Sequence, residues 1–144
     1  MRVLLDTNII MDALQERSPF DTYAKEILMH AEDSSQLSCL FTANAATDIF
    51  YLYAKSRNLV SAKVALRFLL ATFSVIAVTH EDCIEAVSHH IDDFEDALLV
   101  VCARKSGIDY IVSRDDKLLQ SKTEVKIISP KELLGILGEK RISE

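Results

Sequence analysis

Five short, largely apolar runs punctuate the chain, at Val3–Leu5, Leu37–Phe41, Phe73–Val78, Tyr110–Ser113 and Val125–Ile128. Runs of this length suit strands buried on both faces better than helices, and most end on polar or helix-capping residues. The segments between them carry helical periodicity. Strand–helix alternation along a whole chain predicts an α/β fold, with a mainly parallel sheet between two layers of helices. No repeat, linker or composition shift divides the sequence, so residues 1–144 are expected to form a single three-layer α/β/α domain.

The helices announce themselves by their start signals. Asp6-Thr7-Asn8 follows the first strand and opens a helix through Ile9, Ile10, Met11 and Leu14. Ser18-Pro19 predicts a cap with proline at the first helical position, with Tyr23, Ala24, Ile27, Leu28 and Ala31 on the buried face. Thr42-Ala43-Asn44 opens a long helix that Arg57-Asn58 breaks, and Ser61 is expected to cap the next one. Thr79-His80-Glu81-Asp82 has the form of a capping box. A further helix is predicted from about Asp92 to Gly107, and Ser129-Pro130 opens the last.

Composition narrows the functional classes. Lys and Arg total 16 against 22 Asp and Glu, a formal charge of −6 that argues against gripping nucleic acid by bulk electrostatics. Three widely spaced cysteines, Cys39, Cys83 and Cys102, form no C-x-x-C pair and read as buried thiols of a cytoplasmic protein. The first residues are charged too soon for a signal peptide, and no apolar run reaches the roughly 20 residues of a membrane span. A soluble cytoplasmic chain is expected.

Sites on open parallel sheets form beyond the carboxyl ends of the strands. Asp6 follows the first strand, and Arg114, Asp115 and Asp116 follow Tyr110–Ser113. Asp48 lies about one turn into the helix after Leu37–Phe41. Asp96 precedes Ala97–Ala103, a stretch apolar on nearly every helical face and therefore buried. An ionised carboxylate at such an edge is costly unless a cation or proton accompanies it. Asp93 and Glu95, taken singly, read as first-turn acids that stabilise the helix dipole by about 0.3–1 kcal/mol each. Asp12 and Asp33 are expected on solvated faces. Clustered carboxylates without a histidine partner suit Mg²⁺ or Mn²⁺. His89-His90 diverge by about 100° on a helix, a poor chelate. No glycine-rich phosphate loop and no Ser-His-Asp arrangement is present.

Together Val3-Leu4-Leu5-Asp6-Thr7-Asn8, Asp93-Phe94-Glu95-Asp96-Ala97-Leu98 and Ile111-Val112-Ser113-Arg114-Asp115 resemble the three signature segments of the PIN-domain family. The resemblance spans essentially the whole chain, and small single-domain members look like VapC-type toxins of toxin–antitoxin pairs. It implies a metal-dependent endoribonuclease with clustered acids at Asp6, Asp48, Asp96 and Asp115. Asp48 stands where the family usually has Glu, one methylene longer. Asn8 and Ser113 match residues that support the site. Leu118-Leu119 departs from the Asp-Phe of many relatives, a place that Asp116 could compensate. Asp6, Asp96 and Asp115, with Asp93, are the expected ligands of Mg²⁺ or Mn²⁺. Arg114 is the first choice for an RNA phosphate contact, with Lys117 beside it. Arg104-Lys105 is more simply read as helix C-terminal charge than as an RNA contact. An RNA substrate, an antitoxin protein and a homodimer are the implied partners. The alternative is a catalytically silent PIN-like module that binds RNA or protein. A phosphatase or response regulator is disfavoured, because Asp6-Thr7-Asn8 lacks a second early acid.

Overall fold

The computed structural model describes residues 1–33 and 35–143, with side chains through Glu139. Strands β1 (Arg2–Leu5), β2 (Ser38–Thr42), β3 (Ser74–Ile76), β4 (Tyr110–Val112) and β5 (Lys126–Ile128) form one sheet in the order β3-β2-β1-β4-β5. Every pairing in it is parallel. Helices α1 (Thr7–Leu14), α2 (Asp21–Asp33), α3 (Ala43–Ser56), α4 (Leu59–Thr72), α5 (His80–Val87), α6 (Phe94–Lys105), α7 (Asp116–Leu119) and α8 (Pro130–Ser143) connect or follow the strands.

The period of two along a strand divides the interior into two cores. Val3, Leu5, Cys39, Phe41, Val112 and Ile128 face one way, against α1, α2, α3 and α8. Leu4, Leu40, Ile76, Ile111 and Ile127 face the other way, against α6 and its neighbours. Val3, Leu4 and Leu5 are all fully buried, which is why β1 reads as a continuous apolar run and not an alternating one. Ala97 through Ala103 are likewise all buried, as their composition required. Gly107, at φ +64°, turns the chain back just past the end of α6.

Several local expectations change. Pro19 sits in the turn before α2, after a cis Ser18–Pro19 bond, and the helix starts at Asp21. Tyr23 is exposed, while Ala24, Ile27 and Leu28 are buried. Asn58, and not Ser61, caps α4, its Oδ1 accepting from the Ser61 amide at 2.8 Å. The Thr79–Asp82 capping box has both of its hydrogen bonds. The short α7 was not anticipated. Asp12 is the largest departure: it is 1% exposed and not on a solvated face, because two arginines neutralise it there. Asp33 is exposed.

The strand order reverses between β1 and β4, since the chain leaves β1 toward β2 and β3 and later returns to add β4 and β5 on its other side. Loops after these two strands diverge to opposite faces, leaving a crevice at their carboxyl ends.

Candidate active site

Register alone brings the first two site residues together. Leu5 lies opposite Val112, so Asp6 and Ser113 leave the sheet side by side. The Asp6 amide donates to the Val112 carbonyl and the Ser113 amide to that of Ile128, both at 3.0 Å. Asp6 occupies the cap position of α1 yet makes no side-chain capping bond. Its carboxylate instead accepts from the Ser113 hydroxyl at 2.9 Å. Ser113 is fully buried, and its oxygen also accepts from the Asp115 amide at 3.1 Å. One hydroxyl therefore sets the distance between Asp6 and the turn that carries Asp115.

Asp6, Asp48, Asp93, Glu95, Asp96 and Asp115 border one cleft of about 490 Å³. Asn8, Tyr51 and Leu52 complete its rim. The carboxylates come from both helix layers, since α3 packs on one face of the sheet and α6 on the other. Two of them carry a local duty as well. Asp93 caps α6, accepting from the Asp96 amide at 3.0 Å, and Asp115 caps α7, accepting from the Leu118 amide at 3.0 Å. Each uses Oδ1 for the cap, and both residues border the cleft.

Crowding shows in the proton affinities. Burial pushes Asp96 up to about 6, and the neighbouring charges of Asp93, Asp6 and Asp115 push the same way, partly offset by Lys117. Burial also raises Asp6, against the lowering effect of its bonds from Ser113 and the Thr7 amide. Glu95 is raised by burial, then by the neighbouring charges of Asp48, Asp6 and Asp93. Glu95 thus belongs to the cleft, a role the sequence did not reveal. Its place beside Asp96 in the first turn of α6 was the available signal, and the dipole explanation accounted for it equally well.

Oxygen chemistry continues below the cleft. Asp6, Thr42, Asn44, Glu95 and Asp96 border a small cavity of about 10 Å³, room for roughly one water-sized species. Asn44 Oδ1 is buried there without a hydrogen-bond partner. Such an atom costs stability until a donor or a cation reaches it. The donor set is all oxygen and mostly anionic, which fits a hard divalent cation. Among the described residues, no group of three His, Cys, Asp or Glu side chains is close enough to ring an ion as they stand.

The basic residues are mostly committed elsewhere. Arg114 Nε and Nη2 donate to Asp12 at 2.7 and 3.1 Å, and the guanidinium lies 4.1 Å over the Phe20 ring. Arg17 reaches Asp12 at 3.7 Å and donates to Asn8 Oδ1 at 3.4 Å. Asn8 therefore ties to the loop after α1 and bonds no site carboxylate among the described contacts. Arg104 pairs with Glu85, and Lys105 with Asp82 and the Ala77 carbonyl, which docks the end of α6 on α5. Leu118 is buried in the second core, which explains an apolar residue at that departure from the family pattern, and Asp116 does not line the cleft.

A family model for the PIN domain matches residues 2–117. The chain belongs to the PIN domain family. Solved structures share the architecture of this PIN domain. VapBC2 from Rickettsia felis is 15% identical, covering 90% of this chain and 98% of its own, with a TM-score of 0.68. Mycobacterium tuberculosis VapC20, described as a sarcin–ricin loop cleaving toxin, is 17% identical over 81% of this chain and 92% of its own, at 0.65. PAE2754 from Pyrobaculum aerophilum is 22% identical over 96% of this chain and 90% of its own, at 0.60. At these identities the likeness establishes the fold. No curated protein matches by sequence. Among the described residues, no helix is long and apolar enough to cross a membrane.

Proposed function

We propose that this PIN domain is a Mg²⁺- or Mn²⁺-dependent endoribonuclease and the toxin half of a toxin–antitoxin pair. The convergence of Asp6, Asp48, Glu95, Asp96 and Asp115 at the switch point of the sheet carries the reading. A cleft of like charges with elevated proton affinity is poorly suited to be a structural ion pair and well suited to hold a cation. The structural likeness to a toxin described as cleaving the sarcin–ricin loop supports RNA as the substrate class.

Asp6, Asp96 and Asp115 would hold the ion, with Asp93 on the same cleft and Asn44 Oδ1 in the small cavity that shares Asp6 and Asp96 with it. Once bound, a divalent ion lowers the pKa of water and neutralises charge on phosphoryl oxygens. The chain's own residues do the rest. Ser113 fixes Asp6 in one orientation. Glu95 and Asp48 lie together in the cleft, and Glu95, whose proton affinity is raised by burial and by the charge of Asp48, is the candidate to exchange a proton with an attacking water or a leaving oxygen. Asp48 thereby completes, through Glu95, the corner where the family usually carries a longer acid.

Purified protein is incubated with total RNA in Mg²⁺, in Mn²⁺ and in EDTA, beside Asp6→Asn. Cleavage that needs the metal and disappears in the variant is expected. Metal-independent cleavage, cleavage unchanged in Asp6→Asn, or none in any condition overturns the reading, the last in favour of a silent binding module. An antitoxin and a second copy of the chain are the proposed protein partners. Tyr51, Leu59, Val60, Val64 and Leu70, exposed on α3 and α4, offer apolar surface for them.

A further inference from the structure

An acidic cleft repels the backbone it is proposed to cut, so a cation must hold the RNA nearby. Most nearby candidates are already engaged. Arg17 and Arg114 serve Asp12, and Arg104 and Lys105 serve α5. Lys117 and Lys122 are different: neither forms a salt bridge among the described residues. Both line a second pocket, of about 260 Å³, which shares Asp93 and Asp96 with the cleft.

This pocket is built on fixed backbone. The Ser121 hydroxyl donates to the Lys117 carbonyl at 2.9 Å. His90 Nε2 bonds the Lys122 carbonyl at 2.9 Å, and its ring stacks on His89 with centroids 4.4 Å apart. Ile91, part-exposed, adds an apolar contact, while Leu118 reaches the pocket from the second core, where it is buried. Asp92, Asp93 and Asp96 also line the pocket, so an anion can be held there only where Lys117 and Lys122 meet it. At 260 Å³ the space falls below the 300–1,000 Å³ of drug-sized ligand pockets. Proteins that hold single-stranded nucleic acid do so in part with cations that track its phosphates, the role Lys117 and Lys122 can fill here.

We propose that this second pocket holds the nucleotide adjoining the phosphodiester presented to the carboxylates. Lys117 and Lys122 take its phosphate, with the part-exposed Ile91 beside it. The proposal rests on the ribonuclease reading above and adds a subsite to it.

The test measures binding and cleavage separately. In the Asp6→Asn background, anisotropy of a short fluorescein-labelled single-stranded RNA gives Kd as a function of salt. Adding Lys117→Met and Lys122→Met is expected to raise Kd about tenfold and to reduce the slope of log K against log salt by about 0.7, the value for one single-strand phosphate. Lys126→Met, at the amino-terminal end of β5 and outside this pocket, is the control and leaves both unchanged. Thermal melts confirm that the variants fold. Unchanged binding in the lysine double variant, an equal loss in the control, or no RNA binding to begin with overturns the subsite. Wild-type cleavage in Mn²⁺ is scored in parallel. If cleavage occurs and binding ignores the lysines, the subsite fails alone. If cleavage never occurs but binding falls with the lysines, the ribonuclease reading fails and the pocket stands as an RNA site.

Discussion

Removing Arg114 should destabilise the protein more than neutralising the acid it serves. Asp12 is 1% exposed, whereas the side chains of Arg114 and Arg17 are 31% and 33% exposed. Arg114→Met deletes two charge-assisted bonds and leaves a buried carboxylate with Arg17 at 3.7 Å as its remaining partner. Breaking a buried pair in this way costs about 3–5 kcal/mol. Arg17 moderates that toward the lower end, while losing the stack on Phe20 adds about 0.5–1 kcal/mol. A total of about 3–4 kcal/mol follows. Asp12→Asn keeps the shape and one acceptor, and it strands only arginines that water already reaches, for about 1–2 kcal/mol. The double variant buries a neutral amide and no charge, so it should fall near 2–3 kcal/mol, well short of the sum. Urea melts followed by circular dichroism measure all four proteins. Equal losses in the two single variants, or additivity within about 0.5 kcal/mol, would refute the buried-charge account of this contact.

Folding stability should depend on pH in a direction opposite to that of a salt-bridged acid. Asp6, Glu95 and Asp96 are all raised in the folded state, so their stabilising contribution is complete below the ordinary carboxylate range and is lost as pH rises, for Asp96 through about 6. For Asp96 the shift corresponds to at most ~3 kcal/mol, which solvent screening of this half-exposed group reduces to ~1 kcal/mol. Melting temperatures in EDTA should show that fall relative to Asp96→Asn, and excess Mn²⁺ should flatten it; parallel curves for the two proteins would contradict the assignment. Ser113→Ala removes the bond to Asp6 and strands the Asp115 amide, for a loss of about 1–3 kcal/mol and weaker Mn²⁺ binding by calorimetry. Asn44→Leu removes a buried acceptor that lacks a donor. It should raise the metal-free melting temperature while shrinking the further rise on adding Mn²⁺, and a larger rise in the variant would show that Asn44 plays no part.

How much of this was visible in the residues follows from the range of the forces involved. The five strands were legible because burial on both sheet faces demands continuous apolar runs, as at Val3–Leu5. The buried α6 was legible for the same reason at helical scale. Asp6 and Asp96 stood out because each acid borders such a run. Asp12 was not legible, since its burial depends on Arg114, 102 residues away in the chain. That one contact also ties Arg114, the residue expected to meet an RNA phosphate, to α1. Glu95 was ambiguous in principle: a first-turn acid satisfies the helix dipole whether or not another carboxylate from the opposite layer meets it. The cap of α4 shifted by one helical turn because Asn58 and Ser61 carry the same signal, and only the extended backbone at Asn58 decides between them.

The all-round burial of α6 has a consequence for motion. Amides of Ala97 to Ala103 have no solvent-facing side from which the helix can fray, so their hydrogen exchange should require unfolding of the whole domain. Asp93, Glu95 and Asp96 stand at the head of that helix, and Asp6 leaves a strand buried to the same degree. The acids are therefore mounted on the parts of the molecule that open last. Whatever adjustment accompanies ligand entry must come from side-chain torsions and from the loops facing the cleft, while the anchors of the carboxylates stay where the sheet holds them.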